Sequence, residues 1–430
     1  MKLEANSRRT VSTRGAAAIA VVILISLVAA LVVVSSGAAQ AQAAPTSAKC
    51  KNGKAGPYFC KGIDLVGYVD AATMGGSGVA DVWGWVDPET KKEYAILGST
   101  GGVQFIDVTK PSDPIYLGRL PVKAPGNVLI WQELDILNNH AYIVCDADPC
   151  GLQIFDLTRL RGVEAALPVW RPDVVIPIGS AHSIDSNPET NHIFVNGAGL
   201  SNPAGTPIIF DVSQPLAPMP VGIMADDGYT HDSLCRNYKG PDKDYKGNEI
   251  CFNFNEDTVT IFDVTSNPLM PVQLARETYE NARYTHSGAL TEDHRTLIST
   301  DEGDETGLGL RSTLYIWDVS KLTKPKLIGT WVAQSGSIDH NVYQEKDALY
   351  HANYVNGFRI MDLKDAHKAK LKEVAYFDTM PLSDTPDFSG AWAAYPYLPS
   401  GNMLVGHMDG GLFIVRPEAS VLKSLGVTRK

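Results

Sequence analysis

The chain has 430 residues, of which 44% are hydrophobic and 20% are charged. This composition is typical of a globular protein with a sizeable core. The formal net charge is −11, and removing residues 1–43, which carry a net charge of +3, leaves −14. An acidic surface of this kind argues against nucleic acid or anionic lipid as the main partner.

Residues 1–43 are predicted to be a secretory signal peptide. The segment has a basic start, an uncharged stretch from residue 15 to residue 34, and the small-x-small sequence Ala41-Gln42-Ala43 as a cleavage site. The uncharged stretch is long enough to span a bilayer, so an uncleaved signal anchor is the alternative. The expected location is therefore extracellular, or the cell surface through this N-terminal helix, which is the only expected membrane contact.

Six cysteines in an exported chain predict disulfides. Metal-bound thiolates are the alternative, although no pair of cysteines has the CxxC spacing of a zinc site. Among the pairings that six cysteines allow, proximity in sequence favours Cys50–Cys60, Cys145–Cys150 and Cys235–Cys251.

A short sequence motif recurs seven times along the chain, and its first complete copy is Gly102–Thr109. Each copy has β-branched or aromatic residues before a marker position, which is Asp in six copies and Arg416 in the last. The markers stand at positions 107, 156, 211, 263, 318, 362 and 416, so they lie 44 to 55 residues apart. This period is typical of one four-stranded blade of a β-propeller. The prediction is an all-β, seven-bladed propeller over residues 62–417.

The N-terminal strand is predicted to complete the last blade. The last repeat stops after its third strand, and no fourth strand follows Pro417. The missing strand is expected at Ile63–Val69, which has the pattern of the fourth strand around Leu117. Such closure leaves no loose sheet edge in the ring. Residues 44–61 are then an N-terminal extension and residues 418–430 a C-terminal tail.

Four histidines share one register in four consecutive blades. They stand at the expected start of the innermost strand, with spacings of 49, 55 and 54 residues that match the blade period. The same register extends backwards to two carboxylates and forwards to a tryptophan. Equivalent positions on the innermost strands form a ring around the axis. The predicted ring is Asp81, Glu133, His182, His231, His286, His340 and Trp392.

Four imidazoles at one channel mouth predict a site for a divalent transition metal, namely iron, copper, zinc or manganese. The predicted ligands are His182, His231, His286 and His340, with Glu133 as a fifth ligand or as a partner that orients an imidazole. A wet polar channel without metal is the alternative. The outer polar shell is expected to contain Asp81, Asp301, His351, Trp392 and His407.

An acidic loop follows in blade 5 and offers calcium ligands at Asp301, Glu302, Asp304 and Glu305. The loop lacks the spacing of a known calcium-binding loop, so a solvated acidic loop is the alternative.

The copies of the motif resemble the LVIVD repeat, and the region from Ile63 to Pro417 is similar to the choice-of-anchor B family of bacterial surface proteins. The resemblance rests on long stretches such as Asp81-Val82-Trp83-Gly84-Trp85, Asp227-Gly228-Tyr229-Thr230-His231-Asp232 and Gly390-Ala391-Trp392. It implies an exported propeller held at the envelope by an anchor, although no C-terminal anchor is recognisable in this chain. The family implies no particular activity.

Three classes of function follow from these predictions. The first is a metal-dependent oxidoreductase, and carotenoid-cleaving oxygenases, which hold iron with four histidines on a propeller axis, are similar in that one respect. The second is a binding or adhesion module whose top face holds a small molecule, a glycan or a surface protein. The third is a metal-dependent hydrolase with Glu133 or Asp232 as the catalytic base.

Overall fold

The computed structural model describes residues 46–76, 78–121, 131–146, 149–164, 168–265 and 267–429. The predicted signal peptide lies outside the described residues. Within them, seven antiparallel sheets each contain the four strands of one blade, A to D from the axis outwards. The prediction of an all-β, seven-bladed propeller is therefore confirmed.

Blades 1 to 3 follow one another along the chain. Strands A to D of blade 1 are Val79–Val86, Glu93–Ser99, Val103–Asp107 and Ile115–Leu120. Those of blade 2 are Gln132–Leu137, His140–Cys145, Leu152–Asp156 and Val174–Ile176. Those of blade 3 are Ser183–Asn187, His192–Asn196, Ile208–Asp211 and Met219–Ile223.

Blades 4 to 6 repeat this order. Strands A to D of blade 4 are Asp232–Asn237, Glu249–Phe254, Val259–Asp263 and Val272–Glu277. Those of blade 5 are Thr285–Leu290, Thr296–Asp301, Thr313–Asp318 and Lys326–Val332. Those of blade 6 are Val342–Glu345, Ala348–Ala352, Phe358–Asp362 and Lys372–Phe377.

Helical structure in the described residues is short. The α-helices are Asp304–Leu308 and Ala419–Ser424. The 3-10 helices are Ala71–Met74, Leu157–Leu160 and Ala366–Lys368.

The core lies between neighbouring blades, because each sheet is covered on both faces. Strand B of blade 1, Glu93–Ser99, is buried along its whole length, whereas the outermost strand of blade 3, Met219–Ile223, is partly exposed throughout. Phe105 of blade 1 stacks on Phe155 of blade 2 with ring centres 4.7 Å apart. Continuous apolar sequence in the middle strands is the consequence of this two-sided burial.

The recurring aspartate ends strand C and closes the turn that follows. In each of six blades its Oδ1 accepts the backbone N–H two residues later, at 2.8 to 3.0 Å. An aspartate stabilises a turn in this way because its short side chain reaches its own backbone. In the seventh copy, Arg416 donates instead to Asn402 Oδ1. The repeat in the sequence is therefore a repeat of turn chemistry.

Blade 7 is closed by the N-terminal strand. Its strands A to C are Ala391–Tyr395, Met403–His407 and Gly411–Pro417, and strand D is Ile63–Asp70, antiparallel to strand C. This confirms the predicted closing strand.

The N-terminal extension adds strands of its own to the ring. Lys54–Ala55 and Tyr58–Lys61 form a hairpin that pairs with strand D of blade 6, so that this sheet has six strands. This segment was predicted only as an extension, because it is short and lacks the repeat pattern. The hairpin covers one outer sheet edge.

The three predicted disulfides are formed: Cys50–Cys60, Cys145–Cys150 and Cys235–Cys251. The third joins paired residues of strands A and B in blade 4 and spans 16 residues. A disulfide that closes a loop of this length stabilises the fold by restricting the unfolded chain. Replacing both Cys235 and Cys251 by alanine is therefore expected to lower the free energy of unfolding by about 3 kcal/mol. Denaturant unfolding measures the loss. A double variant with an unchanged midpoint would contradict the expectation.

A buried ion pair joins blades 1 and 2. The fully buried Asp87 carboxylate accepts two hydrogen bonds from Arg161, at 2.6 and 2.9 Å. The Arg161 guanidinium holds the pKa of Asp87 well below its usual range. A lowered carboxyl pKa stabilises the fold above the unfolded value of about 4, and this contribution is lost as the pH falls.

Asp87→Asn is therefore expected to lower stability by about 2 kcal/mol at pH 7, with a penalty that shrinks as the pH falls below about 4. Glu89→Gln is the matched control, because Glu89 also contacts Arg161 but its side chain is 71% exposed. Denaturant unfolding at a series of pH values measures both variants. A penalty independent of pH would refute the assignment.

Candidate metal site on the propeller axis

The four histidines of the ring lie side by side on the axis. Each stands at the start of strand A of blades 3 to 6, so the blade period brings the imidazoles to one level. The ring centres of His182 and His231 are 3.8 Å apart. Those of His231 and His286, and of His286 and His340, are each 4.3 Å apart.

Three of the imidazoles are held from outside through Nδ1. His182 Nδ1 lies 2.9 Å from Asp146 Oδ2, and His340 Nδ1 lies 2.5 Å from the carbonyl oxygen of Trp392. Both partners are acceptors, so these nitrogens carry the proton and leave the lone pair on Nε2. His231 Nδ1 lies 3.1 Å from the Tyr284 hydroxyl. Partners of this kind fix the ring orientation of metal-binding histidines.

Glu302 enters the ring from the loop after strand B of blade 5. Its carboxylate lies 3.6 Å from His286 Nε2 and 3.3 Å from His340 Nε2. Tyr354 donates to Glu302 Oε1 at 2.5 Å. His231, His286 and Glu302 each offer one potential ligand atom, and these three atoms lie within 4.8 Å of one another.

Burial disfavours the charged form of His231, His286 and His340. It lowers the pKa of His340 to about 3, and burial together with the neighbouring imidazoles holds the pKa of His231 and His286 well below the usual range. Burial also raises the pKa of Glu302 to about 7. In His231 and His340 the Nε2 atom is buried without a hydrogen-bond partner, and in His286 it is Nδ1.

These residues fit a transition metal. Orphaned ring nitrogens are costly unless something occupies them. A metal–nitrogen distance of about 2.1 Å puts two imidazole centres about 4.5 Å apart when they bind one ion at right angles. The separations of 4.3 Å from His231 to His286 and from His286 to His340 are close to this value, whereas the 3.8 Å between His182 and His231 is shorter.

A group of buried carboxyl side chains lies beside the histidines and lines the same cavity as they do. Trp392 Nε1 donates to Glu133 Oε1 at 3.1 Å, and the Leu134 amide donates to Asp81 Oδ2 at 3.0 Å. Burial raises the pKa of Asp81 and of Asp232 to about 7. Burial and the charge of Asp81 raise the pKa of Glu133 well above its usual range. Asp81 and Asp232 can therefore hold or release a proton near neutral pH.

Three residues expected in the outer shell have local partners. Asp301 accepts the amides of residues 283, 284 and 303 and the Tyr279 hydroxyl. His351 Nε2 lies 3.4 Å from the His340 amide nitrogen, which donates to it, and therefore supports the backbone of the ring. His407 Nδ1 accepts two amides of the turn that follows it.

The residues of the predicted calcium loop are divided among three environments. The Asp301 carboxylate is occupied by the contacts above, and Glu302 faces the axis. Asp304 and Glu305 group with Asp339, which was not among the predicted calcium ligands.

A cavity of about 740 Å³ opens beside the ring. Trp131 and Phe388, which are 44% and 51% exposed, are part of its lining. Among the described residues that line the cavity, seven are Asp or Glu, and Arg236 is the one Lys or Arg. The cavity is thus large enough for a small molecule, and its charge disfavours anions.

Sequence reasoning missed Glu302 as a member of the ring. Alternation along a strand places neighbouring side chains on opposite faces, so choosing Asp301 as the inward residue excluded the next one. The strand ends at Asp301, and the chain turns there. The sequence signal that could have identified Glu302 is its position directly after strand B of blade 5, because this strand ends on the face that carries the histidines.

No protein-family model matches this chain, and no curated protein is significantly similar to it. Among the described residues, no helix is long and apolar enough to cross a membrane.

Proposed function

We propose that this chain is an exported metalloprotein that binds one divalent transition metal on the propeller axis and acts as an oxidoreductase on a small molecule. The observation that carries the proposal is the convergence of His231, His286 and Glu302 within 4.8 Å. Two histidines and one carboxylate around open positions are typical of non-heme iron(II) oxygenases. Iron is therefore the first choice, before copper, zinc and manganese.

His182 and His340 complete the ring and supply further nitrogen donors. The outer contacts of Asp146 and of the Trp392 carbonyl support ligation through Nε2, since each engages Nδ1. A bound ion of this kind supplies Lewis acidity or a change of oxidation state. The protein orients the donors and keeps them out of bulk water.

The cavity supports catalysis over a purely structural metal. Its lining includes the four histidines and Glu302 together with Asp81, Glu133 and Asp232, so a substrate beside the metal also meets groups that exchange protons. The excess of carboxylates favours a neutral or cationic substrate. Aromatic side chains at positions 131 and 388 favour one with an apolar part.

Export is part of the same proposal. The three disulfides are consistent with an oxidising compartment, such as the exterior of the cell. The copies of the motif and the stretch around Trp83 support membership in the choice-of-anchor B family of surface proteins.

The test is elemental analysis by mass spectrometry on protein purified without chelator and without a histidine tag. The expected result is about one ion of iron, copper, zinc or manganese per chain. A chain that stays free of these metals after reconstitution with each of them would refute the proposal.

A binding module without catalysis is the second candidate, favoured by the exposure of Trp131 and Phe388 at the cavity. It predicts that a metal-free protein still binds small molecules or glycans, and that Trp131→Ala weakens this binding. A ligand screen by thermal shift, followed by calorimetry on both proteins, decides the point. Binding that requires the metal would exclude this candidate.

A further inference from the structure

A second acidic group lies beside the axial site, where the loop between strands B and C of blade 5 meets the start of blade 6. Asp304, Glu305 and Asp339 each offer an oxygen within 4.8 Å of the other two. Their exposed fractions are 0%, 1% and 0%. In the part of the chain that the structure describes, no Lys, Arg or His forms an ion pair with any of them. The group therefore has no positive partner from the protein there.

Hydrogen bonds fix these side chains but leave two oxygens unused. Asp339 accepts the amides of Asp301 and Thr313, each at 2.9 Å, and Asp304 Oδ2 accepts the Tyr315 hydroxyl at 2.6 Å. Apart from contacts among the three carboxyl groups themselves, Asp304 Oδ1 and Glu305 Oε2 are buried without a hydrogen-bond partner. An unsatisfied buried acceptor is costly, and two within one acidic group indicate a missing positive ligand.

We propose that Asp304, Glu305 and Asp339 bind a calcium ion. Buried carboxylates this close together repel one another, and a divalent cation removes both the repulsion and the unsatisfied acceptors. Ligands that are all oxygen favour calcium over a transition metal. Calcium also accepts the irregular geometry of a loop, whereas magnesium requires a near-ideal octahedron.

A third unsatisfied oxygen belongs to Asn353, which is connected to the acidic group through Ser312 and Thr313. Asn353 Oδ1 is buried without a partner, and Asn353 Nδ2 donates to Ser312 Oγ at 3.0 Å. Ser312 precedes Thr313, whose amide binds Asp339. The surroundings of the site are thus rich in oxygen acceptors.

Calcium at this place positions the axial site. Glu302 stands two residues before Asp304, and His340 follows Asp339 directly. An ion that ties Asp304 and Glu305 to Asp339 therefore fixes both the loop that carries Glu302 and the strand entry that carries His340. The calcium site itself does not depend on a metal in the axial ring.

The test is isothermal titration calorimetry of the full mature protein with calcium chloride after dialysis against chelator. We expect about one calcium ion per chain with a Kd of about 10⁻⁴ to 10⁻³ M, as in other extracellular calcium sites. Glu305→Gln is expected to weaken binding at least about tenfold. Asp244→Asn is the matched control, because the Asp244 side chain is 80% exposed and should leave calcium binding unchanged.

Glu305→Gln keeps the shape of the side chain and removes a charge, and circular dichroism establishes that the variant is folded. Unchanged calcium binding in folded Glu305→Gln would overturn the proposal, and so would tighter binding of magnesium than of calcium. His231→Ala separates the two sites. Calcium binding that persists in His231→Ala supports the proposal. If calcium binding is lost in His231→Ala but retained in Glu305→Gln, the ion lies on the axis and the proposal is wrong.

Discussion

Replacing His231 or His286 by alanine is expected to remove the transition metal while leaving the propeller folded. Both side chains belong to the group whose ligand atoms lie within 4.8 Å, and each has a buried nitrogen without a partner. Loss of a partner outside the ligand set typically costs 10- to 100-fold in affinity, so loss of a ligand should cost at least about 100-fold. Metal content after dialysis, measured by mass spectrometry, gives the result.

His367→Ala is the matched control for these variants. His367 is exposed on a short 3-10 helix of blade 6. Its replacement should leave the metal content unchanged, whereas full metal content in both His231→Ala and His286→Ala would rule out the axial site. Circular dichroism distinguishes loss of metal from loss of fold.

A chain that begins after Asp70 is expected to lose its stable monomeric fold. Ile63 and Leu65 are 0% and 2% exposed and pack with Phe413 and Val415 in one core cluster. Each such side chain contributes about 1.5 to 3 kcal/mol by burial, so losing the strand costs a large part of a typical stability of 5 to 15 kcal/mol. The deletion also leaves strand C of blade 7 as an open edge, which promotes aggregation.

A chain that begins at Gly62 is the control, since it keeps the closing strand. It loses the hairpin, the Cys50–Cys60 disulfide and the contacts of residues 48–50 with Asp64 and Leu65. It should remain a folded monomer with a lower midpoint of unfolding. Size-exclusion chromatography and thermal unfolding compare the two truncations. A folded monomer without residues 63–70 would show that closure by the N-terminal strand is dispensable.

The blade count was predictable because one physical requirement recurs in six of the seven blades. In these six, strand C ends in a turn that an aspartate stabilises, so Asp107 and its equivalents mark the period directly in the sequence. The closing strand was predictable for a related reason, since a blade without strand D needs one from elsewhere. The hairpin at Lys54–Lys61 had no such signal, because a short edge hairpin carries no periodic pattern.

The site was predictable only where it follows the blade period. The four histidines share one register on strand A, and the structure places their rings side by side. Glu302 and Tyr284 come from loops, whose direction depends on turns that no period describes. Glu133 was expected as a ligand, and the structure shows its Oε1 accepting from Trp392 Nε1.

The most direct test of the metal site is anomalous X-ray diffraction from crystals of metal-loaded protein, measured at the absorption edge of the metal found by elemental analysis. The expected result is a single strong peak on the axis, about 2.0 to 2.3 Å from His231 Nε2 and from a carboxylate oxygen of Glu302. A peak only at surface residues such as His367, or no peak within the ring, would contradict the assignment of the axial histidines as a metal site.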